Sequence, residues 1–223
     1  RIQDSLTWSN RISSSMRENS GGGYGYTTAA HSHTRDYLLS AVMRLLGECP
    51  APARLFELGC GNGAMANELA GMGYDVIGVD PSVEGIRIAK ENYTNCRFST
   101  GSAYDDLAGA YGTFDVVLSL EVVEHVFFPR RYAETVERLL SPGGMAIIST
   151  PYHGYLKNLA ISLMNKWEHH ADPLWDYGHI KFWTRPKLVQ LFREAGLSET
   201  SFTRVGRVPQ LAKSMVLSFR KDR

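Results

Sequence analysis

"LFELGCGNGAM", Leu55 to Met65, places an apolar run directly before three alternating glycines, Gly59, Gly61 and Gly63. Backbone stripped of side chains lies close to whatever sits against it, and it lets the helix that follows pack tightly. The flanking sequence decides what sheet this loop belongs to. "ARLFEL" (53–58) reads as a short strand and "GAMANELAGMG" as a helix. "YDVIGVD" (74–80) is a strand, "SVEGIRIAKEN" a helix and "CRFST" a weaker strand. "FDVVLSL" (114–120) is a strand, "RRYAETVERLL" a helix and "GGMAIIST" (143–150) a strand. "RPKLVQLFREAG" is a helix closed by Gly196. Apolar strands alternating with helices predict an α/β fold with a doubly wound, mainly parallel sheet covered on both faces. The last two β-like runs, "SETSFTRVGRV" and "KSMVLSFR", have no helix between them. They complete a seven-stranded sheet with a C-terminal antiparallel hairpin.

The 223 residues suit one well-cored domain, and 43% apolar with 21% charged residues is ordinary for a globular chain. Twenty-four basic against 23 acidic side chains leave a net charge of +1, without the basic excess of a nucleic-acid binder. Cys49, Cys60 and Cys96 are odd in number and lack CxxC spacing, which argues for a reducing compartment such as the cytoplasm. No apolar run approaches the roughly 20 residues of a membrane span. "RIQDSLTWSNRISSS" has no apolar core of a secretory signal, and the sequence opens on Arg1 without an initiator methionine. Residues 1–33, polar and glycine-rich, read as a flexible leader or lid. "GGGYGY" there would bring Tyr24 or Tyr26 toward the ligand, although glycine-flanked tyrosines are equally common in plain loops, and His31 and His33 read as surface or lid residues. The domain proper runs over 34–223, opening on a helix from about Thr34 to Leu46.

In such a sheet a ligand binds beyond the carboxyl ends of the strands, where strand order reverses, and the glycine loop lies there. Asp80 ends the second strand, about twenty residues beyond Gly59, where an acidic side chain reaches ribose hydroxyls. Gly59, Gly61 and Ala64 also satisfy a relaxed dinucleotide pattern, so a nicotinamide cofactor stays open at this point. Glu57 tilts the choice. A carboxylate two residues before the first glycine suits an ammonium group and repels a pyrophosphate, unless it is merely a surface or capping residue.

"LEVVEH" follows the fourth strand at the same edge. If the chain turns helical here, Glu121, Glu124 and His125 fall at i, i+3 and i+4 on one face. That set points to a divalent-metal site or a general base. Equally, acidic residues favour the first turn of a helix through its dipole.

Together these motifs resemble the class I S-adenosylmethionine-dependent methyltransferases, from about Leu38 to the C-terminus. The resemblance implies a Rossmann-like fold. It places Glu57 at the methionine amino group, Gly59 and Gly61 against the methionyl and ribose parts, and Asp80 on the ribose. Ser102 and Ala103 of "TGSAYDD" fall at the adenine, with serine where the family often carries aspartate. The ExxEH element is similar to two O-methylating branches, those of ubiquinone biosynthesis and of small-RNA ribose 2′-O-methylation. In both, a later histidine precedes a "KF"-type stretch, as in "GHIKFW", and "STPYHGYLKN" also resembles the RNA enzymes. The resemblance thus implies Glu121, Glu124, His125 and His179 as ligands of Mg²⁺, Mn²⁺ or Zn²⁺, with His125 or His179 as base if no metal is used. The near-neutral charge argues against RNA and for a small-molecule hydroxyl acceptor. An oxidoreductase and a non-catalytic cofactor-binding module remain as alternatives.

His153 is a further candidate near the site. His169 and His170 read as an exposed loop pair or as adjacent ligands. An insertion spans about 152–183. In "YLKNLAISLMNKW" an apolar stripe of Tyr155, Leu156, Leu159, Ala160, Leu163, Met164 and Trp167 predicts a helix packed on its own domain. The alternatives are a lid over an apolar substrate or a contact with a membrane surface. Trp175, Tyr177, Phe182 and Trp183 could wall an aromatic pocket.

Overall fold

A computed structural model describes residues 33–223. The expected leader, with Tyr24, Tyr26 and His31, lies outside the described residues. Strands β1 (Arg54–Leu58), β2 (Asp75–Asp80), β3 (Arg97–Thr100), β4 (Phe114–Leu120), β5 (Leu140–Pro151), β6 (Leu197–Val205) and β7 (Ser214–Lys221) form one sheet. Its order is β3-β2-β1-β4-β5-β7-β6. The first five strands are parallel, and β7 runs antiparallel between β5 and β6. Only a short 3₁₀ turn, Pro209–Leu211, links β6 to β7, so the chain reverses into a hairpin as its helix-free sequence predicts. Strand order turns back between β1 and β4, which opens a crevice beyond their carboxyl ends.

Helices α1 (His33–Leu46), α2 (Ala64–Gly71) and α3 (Val83–Asn92) cover one face, where Leu38, Val42, Leu69 and Ile86 meet Leu55, Val116 and Leu118. Helices α4 (Leu107–Tyr111), α5 (Pro129–Leu139) and α7 (Arg185–Glu194) cover the other, where Tyr132, Val136, Leu188 and Phe192 meet Phe56, Val117 and Ile148. Neighbouring strand residues thus enter opposite cores, as the two-residue period requires. Local chemistry sets the helix starts. Ser82 caps α3 by accepting the Gly85 N–H at 3.0 Å, and Pro129 opens α5 without sacrificing a bonded N–H.

Three elements differ from the reading of the sequence. Helix α4 is an addition to it, capped by Asp106, which accepts the Gly109 N–H. Residues 121–126 form a turn, not a helix, because Glu121 enters left-handed backbone at φ 56°. The "YLKNLAISLMNKW" helix, α6, stops at Leu163, and Asn165 takes φ 51° soon after. It packs through Lys157 and Ile161. Tyr155, Leu156, Leu159, Leu163 and Met164 are 41–80% exposed, so the apolar stripe faces outward and not onto its own domain. No helix among the described residues is long and apolar enough to cross a membrane.

Candidate active site

One large cleft, about 1530 Å³ among the described residues, opens at the carboxyl edge of the sheet. Its cofactor half is built by the ends of β1, β2 and β3. Gly59 and Gly63 take φ 85° and 77°. A side chain on Gly59 would collide with Val122 of the β4 turn, and one on Gly63 would lie 2.7 Å from Ala89. The glycine loop is therefore pressed between the β4 turn and α3.

Asp80 locks that loop from below. It accepts the Gly61 N–H at 2.9 Å and the Ser82 N–H at 2.8 Å, and each oxygen keeps a further lone pair. Burial raises its pKa, while the two N–H bonds draw it down. Glu57 is 3% exposed, and its Oε2 has no partner among the described residues. Burial and the Asp80 charge push it up to about 8. A buried, unpaired carboxyl oxygen lining a cleft fits a positively charged group. Ser102 and Ala103 line the cleft beyond β3. The Ser102 N–H is held by Asp105 and its hydroxyl receives the Tyr104 N–H, which orders this loop from within.

The other half is built on the 121–126 turn. The Glu124 carbonyl accepts the N–H groups of Ile180 and Lys181 at 3.0 and 3.1 Å, and the Val123 carbonyl accepts the Trp183 indole N–H at 3.0 Å. These bonds bring the distant "GHIKFW" segment onto the turn. Ligand atoms of Glu124, His125 and His179 come within 4.8 Å of one another. Nε2 of His125 and of His179 lie 3.9 and 4.0 Å from the same oxygen, Glu124 Oε1. That oxygen is buried without a partner among the described residues, while Oε2 takes the Thr150 hydroxyl. His125 Nδ1 faces the Tyr177 and Gly178 carbonyls at 2.7 and 3.1 Å, so it carries the proton and leaves the Nε2 lone pair inward. Such a bond from the outer ring nitrogen to a carbonyl is the support a metal-ligating histidine uses. Burial lowers the pKa of both rings, His179 to about 4 with the neighbouring His125 adding to it. Burial raises that of Glu124. The inward His125 lone pair, the facing His179 Nε2 and one orphaned carboxyl oxygen make a donor set that fits a divalent cation.

Glu121 stands apart from this set, in contrast to the expected single helical face. Its left-handed backbone turns the side chain under the sheet end. There its carboxylate accepts the hydroxyls of Ser149 at 2.7 Å and Ser214 at 3.1 Å. Burial lifts it to about 7 against those two bonds. His153 is buried beside Asn158 and Phe182. Trp175, Tyr177 and His170 line the cleft. Trp183 is a buried anchor, and Phe182 packs on His153 and Trp167. Sequence reasoning passed over Lys157, Thr150, Ser149 and Ser214. Ser149, Thr150 and Lys157 lie within "STPYHGYLKN", of which only the histidine was taken as a candidate, and Ser214 falls in no motif.

A family model described as a methyltransferase domain matches residues 30–201. The chain belongs to that family. The ubiquinone biosynthesis O-methyltransferase of Cereibacter sphaeroides is 34% identical to it over 148 residues, 65% of this chain and 60% of that protein. The one from Ruegeria pomeroyi is 34% identical over 157 residues, covering 66% and 60%. The chain thus spans about three fifths of the length of these relatives. An S-adenosylmethionine-dependent methyltransferase from Mesorhizobium loti has a TM-score of 0.63 at 18% identity, covering 82% of this chain and 96% of that one. Magnesium protoporphyrin IX methyltransferase from Synechocystis, solved with bound SAH, has a TM-score of 0.61 at 19% identity, covering 83% and 82%. These two likenesses establish the methyltransferase type of Rossmann-like fold. The family match leaves the oxidoreductase alternative without support.

Proposed function

We propose that this chain transfers the methyl group of S-adenosylmethionine to a hydroxyl of a small molecule. The observation that carries the reading is the meeting, in one cleft, of Glu57 and Asp80 beside the glycine loop with His125 and His179, whose ring nitrogens converge on the buried Glu124 behind them. Glu57 would hold the ammonium group, Gly59 and Gly61 the methionyl and ribose parts, Asp80 the ribose hydroxyls, and Ser102 with Ala103 the adenine. Glu124, His125 and His179 would hold a divalent ion, and Glu121 would support that turn from behind through Ser149 and Ser214. Two imidazole nitrogens favour Mn²⁺ or Zn²⁺ over Mg²⁺, which prefers oxygen.

When bound, the donor supplies a methyl group on a sulfonium, and the ion lowers the pKa of a nearby hydroxyl. The chain's own contribution is mainly placement. Glu57 and Asp80 fix the donor along β1 and β2, while the β4 turn fixes the acceptor one strand away, so that the two approach in line. Without an ion, His125 or His179 would serve as the base, and burial, which lowers the pKa of both rings, weakens them in that role. Residues 1–33 and the insertion 152–183 would cover the cleft. The three cysteines are free among the described residues, which suits the cytoplasm.

The test is turnover. The protein, S-adenosylmethionine and a simple catechol are incubated with and without added Mn²⁺, and products are read by mass spectrometry. A monomethyl ether should form in step with S-adenosylhomocysteine, and chelator should stop it while cofactor binding persists. Binding of NADH without any response to S-adenosylhomocysteine would overturn the reading.

A further inference from the structure

Beyond the β4 turn, the far end of the cleft is lined by Lys157, Arg207 and Lys213. Lys157 comes from the first turn of α6, and the other two from the β6–β7 connection. Because β7 runs antiparallel, that connection returns to the same sheet edge as the active site. The Lys157 ammonium donates to the Lys213 carbonyl at 3.2 Å, which leaves two donors. It is only 9% exposed. Lys213 sets its ammonium 5.1 Å from the centre of the Tyr37 ring. Among the described residues no carboxylate lies within 4 Å of any of the three cations. Among the described residues Glu121 is the carboxylate whose charge reaches Lys157, and both its oxygens already accept serine hydroxyls, while Asp176 lines the cleft between Trp175 and Tyr177 without pairing with any of the three.

Three cations facing one occupied carboxylate leave the wall short of negative charge. A lysine is rarely buried unless it is paired. Here burial and the nearby Arg207 charge hold Lys157 down to about 8. A bound anion would relieve both causes. We propose that Lys157, with Arg207 and Lys213, forms a subsite for an anionic oxyacid group on the methyl acceptor. This rests on the methyltransferase reading above and narrows the acceptor to hydroxylated acids. In the sheet, β5 and β7 lie one and two strands beyond β4. At the spacing of neighbouring strands the subsite lies about 5–10 Å from the acceptor hydroxyl. That is the span of a small ring or a short sugar-like chain, with Trp175 and Tyr177 beside it.

The two sources of such a group, a carboxylate and a phosphate, are separated by paired probes. Full-length chain saturated with S-adenosylhomocysteine and Mn²⁺ is titrated with 3,4-dihydroxybenzoate against 1,2-dihydroxybenzene, and with glycerol 3-phosphate against glycerol. At least one acid should bind about tenfold more tightly than its neutral partner, the value of one charge-assisted bond. The pair that discriminates names the oxyacid. Lys157→Met should abolish the discrimination, and Lys157→Arg should restore part of it. Arg207→Gln, at an exposed position, should weaken it severalfold even if the Lys157 variants fold poorly. Equal binding within both pairs, with S-adenosylhomocysteine still bound, would overturn the subsite alone. Discrimination that survives both Lys157→Met and Arg207→Gln would also overturn it. Failure to bind S-adenosylhomocysteine would remove the methyltransferase reading itself, and the subsite with it.

Discussion

At the scale of single residues, Glu57 is where folding and ligand binding make opposite demands. Burial and Asp80 raise it to about 8, so near neutrality the free protein carries it largely protonated. Between its ordinary 4.5 and about 8, the folded chain therefore holds a proton that the unfolded chain has lost. Stability of the ligand-free protein falls as pH rises through that window, by up to about 1.4 kcal/mol per pH unit. Affinity for an ammonium-bearing ligand moves the other way. S-adenosylhomocysteine should bind up to about tenfold more tightly per pH unit from about pH 6 toward 8, with release of a proton. Glu57→Gln should flatten both slopes and weaken binding. Calorimetry in buffers of different ionisation enthalpy reads the proton directly, and binding without proton release would sink the account. Asp80 leads to a different expectation. Its position at a strand end points to a ribose contact, but its bond to the Gly61 N–H is set by three-dimensional folding. Asp80→Ala should therefore destabilise the ligand-free chain as well as weaken binding. Each buried N–H left unpaired costs about 1–3 kcal/mol. Urea unfolding without ligand checks this; an unchanged midpoint would confine Asp80 to the ribose.

At the scale of elements, the turn 121–126 is the one proposed to carry the chemistry, and its conformation was the least legible part of the chain. The spacing of Glu121, Glu124 and His125 presumes a helix. The left-handed Glu121 breaks that premise and sends its carboxylate to Ser149 and Ser214. No local pattern announces such a conformation in a residue other than glycine. Helix α6 was misread for a related reason. Periodicity locates an apolar stripe but does not say whether the stripe faces the core, and here it faces outward. The pairing of the turn with residues 178–183 does have a sequence trace, since "GHIKFW" was readable as a motif. Its physical basis includes the bonds from Ile180, Lys181 and Trp183 to the carbonyls of Glu124 and Val123, and that of His125 Nδ1 to the Gly178 carbonyl. Trp183→Phe removes one of these and leaves most of the packing. It should cost about 1 kcal/mol of stability. It should also weaken Mn²⁺ binding about tenfold, the low end for losing a ligand's support. Affinity for S-adenosylhomocysteine should stay put, because Glu57 and Asp80 sit on other strands. Parallel titrations of ion and cofactor decide it. An equal loss of both would mean that Trp183 acts through the fold as a whole.

At the scale of the whole molecule, the strand order spreads the functions along one edge. On the proposed reading adenine would fall at β3, ribose at β2, the ammonium at β1 and an ion at β4, with β5 and β7 beyond. This layout was legible, because alternating apolar strands and helices, right-handed crossovers and a helix-free terminal hairpin leave few alternatives. If that reading holds, cofactor and ion would bind different parts of one sheet. Each ligand should then stabilise the fold independently by mass action, about 2.7 kcal/mol at a hundredfold excess over its Kd. For a domain of this size that is a rise in Tm of about 5–11 °C. Together the two shifts should add. His179→Ala should erase the Mn²⁺ shift and keep the S-adenosylhomocysteine shift, and Glu57→Gln should do the reverse. Thermal unfolding of the three proteins with each ligand and with both reads all of this in one series. A Mn²⁺ shift that survives His179→Ala and also His125→Ala would place the ion elsewhere and leave the β4 turn with a proton-handling role only. A combined shift well above the sum would mean instead that the two halves of the cleft close on each other. Then Val122, pressed against Gly59 from the ion's own turn, is the contact through which one site would report on the other.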